Sequence, residues 1–214
     1  MSPHKLYLKT LMNKYVLIVA GGKGLRMGGD LPKQFIPMRG KPLLMHTLEA
    51  FHRWDASARI ILVLPEDHQP YWNMLCKEIG CKVPHAIVKG GDTRFFSVKN
   101  GLDWLLAERR RKGEEDSGLS LVAVHDGVRP FVSPEVVEAC FDKAAVTGAV
   151  IPVVPMIDSL RETDEKGSHP VDRSRYMAVQ TPQVFHLELL TKAYEQPYSS
   201  LFTDDASVVE AMGH

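Results

Sequence analysis

The chain has 214 residues, of which 44% are hydrophobic and 24% charged, which predicts a folded protein with one substantial core. Its 26 basic and 26 acidic residues balance, so we expect neither nucleic acid nor a membrane surface as a partner. Three cysteines are too few for a disulfide framework and no apolar run is long enough to span a membrane, so we expect a cytoplasmic protein. Residues 1–11 are mixed polar and basic, and we interpret them as an N-terminal extension before a domain at 12–214.

Strands and helices are predicted to alternate along this domain. Short β-branched apolar runs predict buried strands, at 15–20, 59–64, 82–88, 119–125 and 148–154. Apolar residues at helical spacing predict helices between them, at 43–54, 72–79, 98–106 and 133–146. This alternation predicts an α/β fold in which helices cover both faces of a mainly parallel sheet.

Two polar segments depart from this rhythm. Residues 155–177 are rich in turn formers and show no period that would bury a face, which predicts either a disordered loop or an arm ordered by a second subunit. The basic run from Arg109 to Lys112 is interpreted as a solvated helix end.

A glycine-rich loop, AGGKGLRMG at 20–28, directly follows the first strand. Glycines let the backbone approach a ligand and turn its N–H groups towards an anion, so the loop is either a phosphate cradle or only a tight turn. Arg26 and Lys33 bracket it and favour the cradle, because triphosphate chemistry needs cations where charge develops. Met27 argues against a dinucleotide fingerprint, and the chain has no Gly-Lys-Ser/Thr for a Walker A loop.

Five further motifs follow in order: GGDTRFFSVKNGL at 90–102, HDGVRP at 125–130, VDR at 171–173, QTPQVF at 180–185 and TDDAS at 203–207. With AGGKGLRMG and PKQF, this series resembles the nucleotidyltransferases that make CDP-alcohols, above all the 2-C-methyl-D-erythritol 4-phosphate cytidylyltransferase family. The resemblance runs from about residue 15 to the end. It implies a single Rossmann-like nucleotidyltransferase domain with a dimerisation arm at about 155–177, acting in the non-mevalonate isoprenoid precursor pathway.

The resemblance also implies roles for individual residues. CTP and a sugar-alcohol phosphate are the expected substrates, and Mg²⁺ the expected cofactor, held at Asp126. Arg26 and Lys33 are the expected catalytic cations. The expected nucleotide site comprises Ala20, Gly21, Gly22, Gly24, Gly91, Asp92, Ser97, Asp126 and Gly127. The expected acceptor site comprises Arg129, Ser159, Arg173, Thr181 and Asp204. Taken singly, Arg173 is equally a surface charge, Asp204 a helix cap, and Asp92 and Ser97 parts of a loop that closes onto a helix.

Two alternatives to this function remain open. Ribitol-5-phosphate cytidylyltransferase shares the glycine loop, PKQF and TPQ, although SVKNGL and TDDAS favour the methylerythritol enzyme. A non-catalytic nucleotide-binding module of the same fold class is the other. The family carries a further strand and helix beyond the position of His214, with a lysine close to the transferred phosphate, so a truncated chain and an impaired enzyme are both open.

Overall fold

The computed structural model describes residues 12–21, 31–114 and 118–214. The predictions for Gly22, Gly24 and Arg26, and for the N-terminal extension, lie outside the described residues. Within the described part of the chain, no helix combines the length and the hydrophobicity needed to cross a membrane.

A six-stranded sheet forms the centre of the fold. It contains β1 (Asn13–Val19), β4 (Arg59–Leu64), β5 (His85–Lys89), β6 (Ser120–Asp126), β7 (Ala149–Val150) and β12 (Gln183–His186). The strand order is β5-β4-β1-β6-β12-β7, and the first four strands are parallel while β12 runs antiparallel to both of its neighbours. The mainly parallel α/β sheet predicted from the sequence is therefore confirmed. A small hairpin, β2 (Pro37–Met38) and β3 (Lys41–Pro42), lies outside it.

Helices cover both faces of the sheet. They are α1 (Leu43–Trp54), α2 (Gln69–Ile79), α3 (Arg94–Arg111), α4 (Pro134–Thr147), α5 (Leu187–Ala193) and α6 (Asp205–Glu210). One apolar core packs α1, α2 and α4 on one face, and a second packs α3, α5 and α6 on the other. Gly101 lets α3 approach the sheet closely, because a Cβ there would lie 2.7 Å from the Leu17 side chain. The two layers of helices hold the sheet between them, and with it the carboxyl ends of its parallel strands.

The strand predicted at 148–154 is two separate strands. The segment pairs with β12 as β7, and then leaves the sheet as β8 (Val153–Pro155), which pairs with β11 (Met177–Val179). Pro152 separates the two, and a proline has no N–H to donate to a ladder. The predicted single strand is therefore wrong at this point.

The segment at 155–177 forms an exposed arm. Its tip is an antiparallel hairpin of β9 (Arg161–Asp164) and β10 (Gly167–Pro170), in which every residue is exposed. The β8–β11 ladder forms its base and leaves Val153, Val154 and Met177 at least 41% exposed. The arm is therefore an ordered extension with little core of its own.

The basic run at the end of α3 was predicted to be solvated, and this is wrong for Arg109. Its side chain is buried and donates hydrogen bonds of 2.6 Å to the Tyr15 hydroxyl and 2.8 Å to Ser120 Oγ. The guanidinium also lies over the Tyr15 ring. Arg109 thus connects the end of α3 to β1 and β6, whereas Arg111 is exposed as predicted.

Candidate active site

The carboxyl ends of the parallel strands meet at one edge of the sheet. The N–H of Gly127, just after β6, donates to Val19 O at the end of β1 over 2.9 Å. The N–H of Gly90, just after β5, donates to Leu64 O at the end of β4 over 2.8 Å. Ligands of open α/β sheets bind in the crevice at this edge. The residues that follow β1, β5 and β6 therefore form the candidate site.

Residues 90–97, which we call the 90–97 turn, lead from β5 into α3. The Gly91 N–H donates to Ser97 Oγ over 3.1 Å, and the Ser97 hydroxyl donates to Thr93 O over 2.9 Å. A Cβ on Gly91 would lie 2.4 Å from Phe96 Cβ, so only glycine fits. A Cβ on Gly21 would lie 3.9 Å from Ser97 Oγ. The structure thus brings the described start of the glycine loop against this turn, as expected for two parts of one nucleotide pocket.

Two arginines surround the carboxylate of Asp126 at the end of β6. Arg129 Nε donates to Oδ2 over 2.8 Å, and its Nη1 donates to Gln180 Oε1 over 2.8 Å. Arg94 Nε lies 3.8 Å from Oδ1, an ion-pair distance without a hydrogen bond. The Asp126 N–H lies 3.5 Å from Thr181 Oγ1. Two arginines thus flank the carboxylate, while Gln180 accepts from Arg129 and Thr181 lies next to the Asp126 backbone, so three separate motifs meet here.

Behind Asp126 lies a buried carboxylate, Asp205, whose side chain is 0% exposed. It accepts from Arg94 Nη2 over 2.7 Å and from the Tyr194 hydroxyl over 2.6 Å. Burial opposes the charge of Arg94, but Asp205 outweighs it and raises the guanidinium pKa. Burial, together with Asp205, also raises the pKa of Tyr194. Arg94 and Asp205 are thus an ion pair and Tyr194 is a neutral donor at pH 7.

Lys33 begins a short 3-10 helix, Lys33–Phe35, close to the end of β1. The buried Gln34 side chain holds this helix there by donating to Ala20 O over 3.0 Å. Phe35 packs edge-on against the Tyr71 ring at 5.0 Å. Within the three described ranges, Lys33 makes no ion pair with a carboxylate. The helix therefore places Lys33 close to the candidate site.

The expected acceptor residues divide into two groups. Arg129 and Thr181 lie at Asp126, whereas Ser159 and Arg173 lie on the exposed arm, where the Arg173 guanidinium donates to the Ile157 carbonyl. Within one chain, the structure does not bring the arm residues to Asp126.

Asp204 is the N-cap of α6, and both of its oxygens accept within the chain. Oδ1 accepts from the Ser207 N–H over 2.9 Å and Oδ2 from Gln183 Nε2 over 2.8 Å. The cap interpretation of Asp204 is therefore what the structure supports directly. Asp92 is exposed at the rim of the 90–97 turn, where it is accessible to a ligand.

His125 precedes Asp126 and is completely buried. Its Nε2 lies 3.0 Å from Arg129 O, and its Nδ1 has no partner among the described residues. Burial lowers the pKa of the imidazole to about 4, so the ring is neutral at pH 7. His125 thus supports the loop that carries Arg129 and is not placed to transfer a proton to a ligand.

The residues around Asp126 fit a shared metal better than an independent one. In the described ranges, no three His, Cys, Asp or Glu side chains cluster as metal ligands. Mg²⁺, however, is usually held by one or two carboxylates together with substrate phosphates. A single half-buried carboxylate beside a nucleotide pocket meets that requirement, provided that the phosphates supply the other oxygens.

Arg94, Asp205 and Tyr194 were not predicted as site residues. Arg94 and Asp205 lie inside the motifs GGDTRFFSV and TDDAS, from which other site residues were predicted. The interaction joins positions that are 111 residues apart. The sequence showed both charges inside motifs, but nothing in the sequence indicated that they pair with each other.

Comparisons with known proteins show which family the chain resembles. A family model described as 2-C-methyl-D-erythritol 4-phosphate cytidylyltransferase matches residues 14–214. The enzyme of that name from Bacteroides fragilis is 55% identical over 202 residues, which cover 94% of this chain and 87% of the relative. The enzyme of the same name from Alkaliphilus metalliredigens is 38% identical, and the match covers 93% of this chain and 80% of the relative.

Solved structures are similar as well. The crystal structure of the 2-C-methyl-D-erythritol 4-phosphate cytidylyltransferase from Thermus thermophilus matches with a TM-score of 0.67 and 31% identity, covering 95% of this chain and 86% of that one. The 4-diphosphocytidyl-2C-methyl-D-erythritol synthase from Anaerococcus prevotii matches with a TM-score of 0.74 and 26% identity, covering 97% and 85%. The nucleotidyltransferase fold expected from the motifs is therefore confirmed. These similarities do not test whether the arm joins two subunits.

Proposed function

The chain belongs to the 2-C-methyl-D-erythritol 4-phosphate cytidylyltransferase family, and from this premise we propose how its residues perform the reaction. The activity is that of a nucleotidyltransferase: it transfers a cytidylyl group from CTP to 2-C-methyl-D-erythritol 4-phosphate and releases diphosphate, in the non-mevalonate isoprenoid precursor pathway. The observation that carries the proposed site is the junction of the 90–97 turn, Gly21 and Asp126 at one edge of the sheet.

In this proposal the nucleotide lies along that edge. Gly91, Asp92 and Ser97 face the base and ribose, with Ala20, Gly21 and Gly127 as close backbone neighbours. The remaining loop residues Gly22 and Gly24 would turn their N–H groups towards the triphosphate. Ser97 shapes this pocket through its hydrogen bonds to Gly91 and Thr93, and the missing side chain of Gly91 lets the turn pack closely against Phe96.

The chemical step is a direct displacement at phosphorus. The acceptor phosphate attacks the α-phosphorus of CTP in line, and diphosphate leaves from the opposite side. No general base is required, because a phosphate monoester has a second pKa of about 6 and is already ionised at pH 7. The protein contributes positioning and charge stabilisation. We assign Lys33 and Arg26 to the charge that develops on the phosphoryl oxygens.

We propose Mg²⁺ as the cofactor. Asp126 would hold it jointly with the CTP phosphates, where it would neutralise their charge. Asp126 is already paired with Arg129, so the arginine would have to leave one oxygen for the ion. Arg129, Thr181 and Asp204 remain the proposed contacts of the acceptor, although Asp204 would have to exchange an internal hydrogen bond. The cytoplasmic location stays a prediction.

We further propose that the arm joins two subunits. The observation that supports this proposal is the exposed apolar surface near the base of the arm, where Ile157 is 83% exposed and Met177 is 50% exposed. Among the described residues, no hydrogen bond or ion pair joins Ser159 or Arg173 to Asp126 of the same chain, and a reciprocal exchange of arms would bring them to the acceptor site of the partner.

Activity tests the proposed reaction directly. Diphosphate release is measured with CTP and either 2-C-methyl-D-erythritol 4-phosphate or ribitol 5-phosphate, and turnover is expected with the former. Lys33→Ala should lower kcat by about a hundredfold or more with a smaller change in CTP affinity, because the ammonium acts on the transition state. Lys77→Ala, an exposed lysine of α2, is the control. Loss of CTP affinity with an unchanged kcat would remove the catalytic role of Lys33.

Subunit mixing tests the arm. Lys33→Ala and Arg173→Ala subunits are each expected to be inactive. After dissociation and random reassembly, half of the dimers are mixed, and each mixed dimer has one site with both residues intact. About a quarter of the wild-type activity should therefore return. A mixture that exchanges subunits but stays inactive would place Arg173 in the site of its own subunit.

A further inference from the structure

Arg94 lies between two carboxylates that belong to different parts of the site. It is the first residue of α3 and therefore part of the 90–97 turn. Its Nη2 donates to Asp205 Oδ2 over 2.7 Å, and its Nε lies 3.8 Å from Asp126 Oδ1. One side chain thus connects the turn, the end of β6 and the start of α6.

The two arginines around Asp126 are held in different ways. The Arg94 side chain is 31% exposed and is anchored by Asp205, which is completely buried and also accepts from Tyr194. The Arg129 side chain is 45% exposed, and its other partner is the amide of Gln180. Removing one member of a buried ion pair leaves an uncompensated buried charge, whereas an exposed ion pair contributes little to the free energy of unfolding. Arg94 is therefore fixed, and Arg129 is free to exchange partners.

This difference distinguishes the two oxygens of Asp126. Oδ1 faces the fixed arginine, and Oδ2 is bonded to the exchangeable one. When an anionic ligand attracts Arg129, Oδ2 loses its partner while the carboxylate is still oriented through Oδ1. Because Arg94 is the first residue of α3, its contacts with Asp205 and Asp126 connect the 90–97 turn to the end of β6.

We propose that Arg94 is a positioning residue that fixes the Asp126 carboxylate relative to the 90–97 turn and leaves Oδ2 as the oxygen presented to the nucleotide and its metal ion. The inference rests on the proposed function. Arg94 does not touch the reacting atoms in this assignment. It acts through Asp126, and Asp205 with Tyr194 acts through Arg94.

The test must separate positioning from simple stability. Arg94→Gln alone leaves Asp205 buried and unpaired, so it should lower the Tm. The double replacement Arg94→Gln with Asp205→Asn removes one positive and one negative charge, and the new amide still accepts from Tyr194. Its net charge equals that of the wild type, and most of the Tm should return. Arg111→Gln, an exposed arginine at the far end of α3, is the matched control.

Activity and ion binding are then measured on the full chain. The double variant should keep a kcat/KM roughly tenfold to a hundredfold below the wild type although its Tm has recovered, because Asp126 is misplaced by a fraction of an ångström or more. Mn²⁺ titration in the presence of CTP, followed by electron paramagnetic resonance, supplies a readout besides activity. The double variant should bind Mn²⁺ more weakly than wild type, whereas Arg129→Gln should bind it at least as tightly.

Two outcomes would overturn the inference. One is a double variant with wild-type kcat/KM and Mn²⁺ binding, which would make Arg94 a structural residue only. The other is tighter Mn²⁺ binding in the double variant, which would mean that Arg94 acts on Asp126 by repelling the ion.

If the double variant does not fold, Arg94→Lys takes its place, since a lysine can pair with Asp205 but cannot span both carboxylates. If the wild type itself releases no diphosphate, the proposed function fails and Mn²⁺ binding alone decides the inference.

Discussion

Replacing Gly91 by alanine should damage the nucleotide pocket more than the fold. A Cβ at this position would lie 2.4 Å from Phe96 Cβ and 2.9 Å from the Phe96 carbonyl carbon. Phe96 is partly exposed, but rotation of its side chain would not relieve the contact with its backbone. The 90–97 turn must therefore move as a unit.

The size of the movement follows from these distances. An ordinary carbon contact is about 3.5 Å, so the turn has to shift by roughly 1 Å. A displacement of this size in a positioning segment costs about a hundredfold in rate. Overpacking costs about 1–3 kcal/mol of unfolding free energy, which for a chain of this size is a decrease in Tm of several degrees. The Gly91 N–H to Ser97 Oγ hydrogen bond, 3.1 Å long, would be strained by the same movement.

Steady-state kinetics with CTP as the varied substrate is the assay, with Tm as the measure of stability. Gly80→Ala is the control, because Gly80 has a φ of 74° and open space around it, at the end of α2. That variant should lose stability through backbone strain alone and keep its kcat/KM at 25 °C. A Gly91→Ala enzyme with wild-type kcat/KM for CTP would refute the placement of the nucleotide against this turn.

Three further predictions concern charge and selectivity. Burial lowers the pKa of His125 to about 4, against an ordinary 6.5, so between these pH values the unfolded chain binds a proton that the folded chain does not. The free energy of unfolding should therefore fall by up to about 3 kcal/mol from pH 6.5 to 4. Denaturant titrations should show a weaker pH dependence for His125→Gln, and an equal dependence would contradict this cause. Mn²⁺ should bind at least roughly tenfold more weakly without CTP than with it, as equilibrium titration would show; equal binding would mean an independent metal site. The kcat/KM for CTP should exceed that for ATP and GTP by several orders of magnitude, because the polar groups that hydrogen-bond cytosine would be left unpaired when a purine binds. Comparable turnover of ATP would contradict the proposed base pocket.

The fold was largely predictable from the sequence because its signals are local. A buried parallel strand is a continuous apolar run, and an amphipathic helix repeats every three to four residues, so β1, β4 and α2 follow from short windows. The described glycines of the motifs lie at the carboxyl edge of the parallel strands, as their positions after predicted strands indicated. Apolar content did not reveal where a strand changes partners, and therefore the segment at 148–154 was predicted as one strand.

Long-range charge pairs were not predictable in the same way. Arg109 is one of several consecutive basic residues, and its hydrogen-bond partner Tyr15 is 94 positions away. Only the folded chain shows which arginine of the run turns inward. The same holds for Arg94 and Asp205, since each looks like a surface charge until the fold places them together. Resemblance to a family predicted which residues form the site, and the folded structure showed the charge pairs around them.

The charges at the sheet edge explain why a triphosphate suits the site better than a free metal ion or a neutral ligand. Asp205 neutralises Arg94, and Arg129 neutralises Asp126, so these four groups cancel. Lys33 has no carboxylate partner within the described ranges and leaves an excess positive charge beside β1. An anion that attracts Arg129 adds a second unpaired cation and at the same time frees the Asp126 carboxylate. We therefore expect the site to bind a metal ion only after a polyanion has entered, so that binding of the ion depends on the nucleotide.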